Sequence, residues 1–298
     1  MSGEVAEARS VAGRPSDDVR GALLMLVSGL CFALLSAATK ELAADLPALV
    51  IGALRNVVAL ACFAPMIWRR GFALIRTERY WSHFFRSAFG YVSFLAFIYV
   101  LPILTLADVI ALSFTTPLWS LLLSSLFMGE RIPARRWLAV AIGFGGVLLI
   151  AQPTSGVGWA TALALASAVL ASLAMMKVKQ LSRTEPPDRI AFYFMLNGLL
   201  IGTPLAVPVW QMPTGRAWLL LLGIGALSFL SQRCLTRGYA LGQFSKMAPM
   251  DYCRLPLGIL TGFVFFGELP DALSVLGMAV VVASTLYILT ARSPARSG

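Results

Sequence analysis

The chain has 298 residues, of which 58% are hydrophobic and only 13% charged, with a formal net charge of +10. A soluble domain carries about a quarter charged residues, so this composition excludes one and points to an integral membrane protein. The positive balance must then be tested against loop topology before nucleic acid is considered as a partner.

About 20 apolar residues cross a bilayer. Ten stretches qualify: Gly21–Thr39, Pro47–Ile67, His83–Leu101, Leu104–Met128, Arg136–Ala151, Gly158–Met176, Arg189–Val209, Arg216–Leu235, Lys246–Phe266 and Ala272–Ala291. Residues 1–20 form a polar tail expected to be disordered, and residues 292–298 form a second tail. The first span follows a long tail of mixed charge and precedes nine more, so it reads as retained rather than as a cleaved signal.

The first span carries Ser28, Gly29, Ser36 and Thr39, small residues that let helices approach closely. The second carries Arg55 and Asn56, about 12 Å in from Pro47. A charge at that depth costs about 2.5–3.5 kcal/mol, so Arg55 faces the bundle, either as a structural anchor or as a substrate ligand. The third span is aromatic, and Tyr91 and Phe94 are its candidates for a cavity wall. Arg86, nearer its end, reads as an anchor that snorkels to the headgroups. His83, the single histidine, reads as interfacial or as a pH sensor.

Leu101–Asp108 reads as a tight turn, with Asp108 on the positive end of the fourth helix. There Thr115 and Thr116 precede Pro117, which frees backbone carbonyls for hydroxyls or a ligand, and Trp119 follows. The alternative is a plain kink. Gly143, Gly145 and Gly146 in the fifth span mark close helix packing, since no strand precedes them as a nucleotide loop would require. Gln152–Gly156 links the halves. The seventh span offers Tyr193 and Asn197; Gly198 and Gly202, like Gly258 and Gly262, sit at helix-contact spacing. Arg233 and Arg237 read as headgroup anchors or as a gate. The ninth span opens with Lys246, Asp251, Tyr252 and Arg254 ahead of Pro256. Asp251 and Arg254 share one helix face and either neutralise each other or meet a ligand.

Sliding the sequence by 138 residues lays Phe127, Gly129 and Glu130 on Phe265, Gly267 and Glu268, and Leu138, Leu148 and Ile150 on Leu276, Leu286 and Ile288. A period of half the chain means a duplicated domain. The first Gly-Glu corner is followed by Arg131, Arg135 and Arg136, the second by Asp271 and no cation. Cations collect on cytoplasmic loops, so the two copies face opposite sides, the mark of an inverted repeat. Of the 24 Lys and Arg, Lys40 and Arg216 fall on outer segments and Arg55, Arg86 and Arg254 within spans. All the others fall on segments that face inward if the N-terminus is cytoplasmic. The positive charge is therefore topology, and no nucleic-acid partner is expected.

The expected fold is all-α: an integral membrane protein of ten transmembrane helices in two inverted five-helix repeats, residues 21–152 and 153–291. The stretches PLWSLLLSSLFMGERIPARRWLAVAIGFGGVLLIAQP and APMDYCRLPLGILTGFVFFGELPD resemble the EamA-type transporters of the drug/metabolite transporter superfamily, over roughly Gly21–Ala291. The resemblance implies a central cavity lined by helices one to four and six to nine, and it transfers no catalytic residue.

The expected function is secondary transport by alternating access of an amino acid or related amphipathic metabolite across the bacterial inner membrane, as an exporter. The alternatives are import of a riboflavin-like or S-adenosylmethionine-like compound, or a membrane scaffold. One histidine and scattered carboxylates supply no catalytic set or metal site, so neither an enzyme nor a cofactor is expected. Partners are a small-molecule substrate and membrane lipids, with the chain a monomer or homodimer. The expected substrate-binding residues are Arg55, Asn56, Tyr91, Thr115, Thr116, Trp119, Tyr193, Asn197, Asp251, Tyr252 and Arg254.

Overall fold

The computed structural model describes residues 15–71, 75–116, 118–120, 122–123, 134–151, 158–181, 184–241 and 253–290. Among the described residues there are helices and turns and no strand. Hydrocarbon offers no hydrogen bonds, so each segment must satisfy its own backbone, and a helix does so.

Among the described residues, six helices are long and apolar enough to span a membrane: Val19–Leu42, Ala48–Arg69, Tyr80–Val100, Gly158–Val178, Pro187–Val209 and Gly215–Gly238. Shorter apolar helices, Trp137–Ile150, Arg254–Phe266 and Ala272–Ser284, stand where the fifth, ninth and tenth spans are expected. The fourth span starts as the helix Leu106–Ser113. Its continuation into the Gly129-Glu130 corner lies outside the described residues. The chain is an all-α membrane protein with the ten-helix, two-repeat plan.

Local chemistry sets the breaks. Pro65 cannot donate to the carbonyl of Ala61, and the second span divides into Ala48–Ala61 and Ala64–Arg70. At the second Gly-Glu corner Gly267 adopts φ +65°, a left-handed conformation that costs a side-chain-bearing residue energy. This lets Gly267 N donate to Phe263 O at 3.0 Å and Glu268 N to Gly262 O at 3.2 Å, a paired closure of the helix end.

The helices pair across the two halves. The first packs along the eighth, the third along the sixth, the second against the seventh, the fourth against the ninth and the fifth along the tenth. Exchanging the halves maps this set of pairs onto itself. The partners run antiparallel: Gly238 lies over Gly21 and Met25 while Ser231 meets Ser28, and Gly143 meets Ser284 while Gly146 meets Gly277.

Two serine clasps make the symmetry chemical. Ser28 Oγ donates to Ser231 O at 3.0 Å and Ser231 Oγ to Ser28 O at 3.0 Å. Ser93 Oγ donates to Ser167 O at 2.8 Å and Ser167 Oγ to Ser93 O at 3.0 Å. The half-chain shift carries Ser93 onto Ser231 and brings Ser28 within one residue of Ser167. Small side chains allow the backbones this near, and the reciprocal bonds satisfy polar groups that lipid could not.

Ser28→Ala and Ser231→Ala each remove one bond to a backbone carbonyl that the other substitution leaves in place, so each should cost about 0.6 kcal/mol and at most ~1.7, with the losses adding in the double variant. Reversible unfolding in detergent measures them, and a double variant as stable as the parent chain would show that the clasp contributes nothing.

Candidate functional site

Arg55 sits in the second span with 4% of its surface exposed. Its guanidinium lies 3.2 Å from the Phe94 ring centre on the third span. Its Nη1 reaches Ser228 Oγ on the eighth at 3.5 Å, and its Nε has no hydrogen-bond partner among the described residues. A desolvated guanidinium over an aromatic face gains about 2 kcal/mol or more. That offsets much of the burial cost while leaving donors unused. Beside it, neither Asn56 Nδ2 nor Asn56 Oδ1 has a partner among the described residues, although the side chain is buried.

Tyr91 joins this cluster. It has no exposed surface, and its hydroxyl is unpartnered among the described residues. Its side chain fills the space that side chains on Gly52 of the second span and Gly198 and Gly202 of the seventh would otherwise take. Asn56 also lies over Gly198. The Gly198–Gly202 spacing thus admits Tyr91 and Asn56, rather than bringing two backbones together as expected.

Arg86 corrects the expectation of a snorkelling anchor. It is 6% exposed, its guanidinium lies 3.9 Å from the Phe194 ring centre, and its Nε and Nη1 lack partners among the described residues. Arg86 and Phe94 are eight residues apart on one helix, about 12 Å along the axis. The two buried cations therefore sit about 12 Å apart along the third helix. The sequence did carry a signal, since Arg86, Gly90 and Ser93 form one stripe at helical spacing.

The other expected residues divide. Asn197 is buried, donating to Ser87 Oγ at 3.4 Å and accepting from the Tyr80 hydroxyl at 3.3 Å. Tyr193 lies towards the loops, its hydroxyl donating to Ile75 O at 2.7 Å. Thr115 and Thr116 donate to Leu112 O and Ser113 O at 2.7 and 2.6 Å. Their protons are thereby committed to their own helix. Trp119 turns away to the fifth span, edge-on to Phe144 at 4.8 Å. Arg254 lies 4.5 Å from the Phe32 ring centre on the first span. Asp251 and Tyr252, like Pro117, Glu130 and Lys246, lie outside the described residues.

Sequence reasoning also missed ionic groups at the two ends of the bundle. At one end Lys40 Nζ pairs with Glu268 Oε1 at 2.5 Å and donates to Leu104 O at 3.0 Å. Glu268 Oε2 accepts from Leu106 N at 3.1 Å. The carboxylate therefore ties the ninth helix to the first and to the start of the fourth. At the opposite end Asp188 lies 3.6 Å from Arg233 Nε and 3.4 Å from Arg237 Nη2, and Glu185 pairs with Arg189 at 2.5 Å. Glu185 and Arg189 stand four residues apart, a spacing the sequence shows; helix-facing directions decide the Lys40 and Asp188 pairs, and no local pattern encodes those.

Removing one partner of a buried pair strands the other charge. Glu268→Gln should therefore cost on the order of 2 kcal/mol in unfolding, reduced from the fully buried case because Glu268 is partly exposed. Adding Lys40→Met should recover much of that loss. Equal stability of Glu268→Gln and the parent chain would remove the pair from the account.

The EamA-like transporter family matches the chain twice, over residues 19–152 and again over 158–290. A riboflavin transporter of Rhizobium johnstonii is 34% identical over 94% of this chain and 94% of its own. A riboflavin transporter of Vibrio cholerae is 30% identical over 91% and 93%. A pseudopaline exporter of Pseudomonas aeruginosa is 31% identical over 90% and 95%. One crystal structure superposes with a TM-score of 0.64 at 19% identity, over 93% of this chain and 97% of that one, and bears on the fold alone.

Proposed function

Since the chain belongs to the EamA-like transporter family, of the drug/metabolite transporter superfamily, we propose that it carries a vitamin-type aromatic metabolite, riboflavin first among the candidates, by alternating access across the bacterial inner membrane. That it is a multi-pass membrane transporter of small molecules follows from the family and its relatives. The observation that carries the finer reading is the set of buried donors left unused among the described residues, Arg55 and Asn56 beside Tyr91 and Arg86 against Phe194 further along the third helix. A flavin ring offers carbonyl and ring-nitrogen acceptors along a planar edge and a face for phenyl rings, and its sugar chain offers further hydroxyls. Such a ligand satisfies buried donors that otherwise cost about 1–3 kcal/mol each. Riboflavin transporters among the relatives support the same choice.

Because the helices of the two repeats, residues 21–152 and 153–291, pair across the halves, the bodies that move about this site are bundles drawn from both repeats. A second reading, export of an amphipathic amino-acid-type metabolite, is favoured by the relative that exports pseudopaline. Uptake or release of labelled compound by proteoliposomes of known orientation separates the two.

Arg55→Gln should weaken riboflavin binding about 10–100-fold, the loss expected when a hydrogen bond to a charged group goes, with the folded yield unchanged. Quenching of flavin fluorescence measures it. An unchanged affinity, or a variant that fails to fold, would make Arg55 an anchor.

Both termini are assigned to the cytoplasm, from the contrast between the cationic link after Glu130 and the acidic one after Glu268. Cysteines at Arg135→Cys and Asp271→Cys should then label oppositely with an impermeant reagent in intact cells. Equal labelling would reverse this assignment.

A further inference from the structure

The loop end of the third and seventh helices holds a histidine that the substrate site does not use. His83 has no exposed surface, and its ring stacks on Tyr193 with centroids 4.6 Å apart and planes 27° apart. Neither ring nitrogen has a hydrogen-bond partner among the described residues. Its Nε2 lies 4.0 Å from Glu185 Oε2, just beyond hydrogen-bond range. A neutral imidazole that wastes both nitrogens in an apolar interior is costly. One that takes a proton beside a carboxylate becomes a donor with an acceptor waiting.

Glu185 is built to stay anionic. Burial pushes its carboxyl up, but the Arg189 and Thr77 hydrogen bonds and the neighbouring charges together hold it below the usual carboxylate value. Thr77 Oγ1 donates at 2.8 Å and Arg189 Nη1 at 2.5 Å. The groups that face His83 are Arg86 from its own helix, Tyr193 and Arg189 from the seventh, and Glu185 from the loop before it. Arg233 and Arg237, from the eighth, are engaged with Asp188. Arg189 and a protonated His83 therefore compete for one carboxylate.

We propose that His83 and Glu185 form the proton-binding site that couples transport to a proton gradient. A proton from water at this end of the bundle forms the Nε2–H bond on the neutral ring. The resulting imidazolium donates to Glu185 Oε2 as Arg189 moves off, and reversal of the step releases the same proton. Coupling to substrate follows from charge, and it rests on Arg86 being a substrate ligand. Arg86 lies one turn from His83, and like charges at that spacing oppose each other. An acceptor-rich substrate seated on Arg86 offsets the repulsion, so substrate and proton each raise the other's affinity by the same factor. Proton and substrate then move together.

The chain has one histidine, so protein labelled with ¹⁵N-histidine, purified through a non-histidine tag and held in nanodiscs, gives a single imidazole signal to follow against pH. Arg189→Gln should raise the midpoint of its titration, and Glu185→Gln should lower it by about one pH unit, a tenfold loss of proton affinity. Saturating riboflavin should raise it in the parent chain. A midpoint that is the same in the parent chain, Arg189→Gln and Glu185→Gln, or a ring that never titrates, overturns the site. Should Glu185→Gln fail to fold, the Arg189→Gln midpoint decides alone. Riboflavin that quenches on binding yet leaves the midpoint unmoved overturns the coupling. Riboflavin that does not bind overturns the substrate reading instead, and the two variants still decide the proton site.

Discussion

A guanidinium carried into a bilayer must find a partner or find water. In this chain the partners are phenyl rings. Arg55 lies on Phe94 and Arg86 on Phe194, each ring supplied by a different helix from the cation it covers. A phenyl face satisfies the charge without consuming the N–H groups, so donors remain for something else. A carboxylate in the same place would have neutralised the cation and closed the site. The choice of ring over acid lets a buried arginine serve the fold and stay chemically available.

The glycines around Tyr91 work to the same end. Space left by Gly52, Gly198 and Gly202 is taken by one tyrosine whose hydroxyl ends without a partner. Around this centre the helices cross between halves, so the polar cluster is built jointly by the second, third, seventh and eighth. Lys40 with Glu268 closes one end of the same bundle, and Glu185, Asp188 and their arginines close the other.

The ten-span plan and the duplication were legible because both are written locally, as apolar runs and as a motif repeated at a fixed offset. The candidate site was legible only in part. Arg55, Asn56 and Tyr91 stood out by depth and residue type, and they do cluster. Trp119 looked equally suitable but turns to Phe144, because the facing direction depends on the register of the fourth helix, which hydropathy does not set. Arg86 misled for the opposite reason. A long side chain near a helix end has the reach to snorkel, and only the position of Phe194 shows why it stays inside. His83 and Glu185 are separated by 102 positions, and no spacing rule connects them.

The serine clasp between the first and eighth helices joins residues 203 positions apart. At synthesis rates of ~5–20 residues per second, Ser28 waits about 10–40 s in the membrane before Ser231 exists. The first helix therefore spends most of translation beside lipid, without the helix along which it finally packs. Any nascent chain halted before the eighth span presents a first helix whose clasp residue is unmatched. The interlocked halves thus make completeness of synthesis a condition for locking the first helix in place, and membrane proteases have a long interval in which to recognise a chain that stopped short.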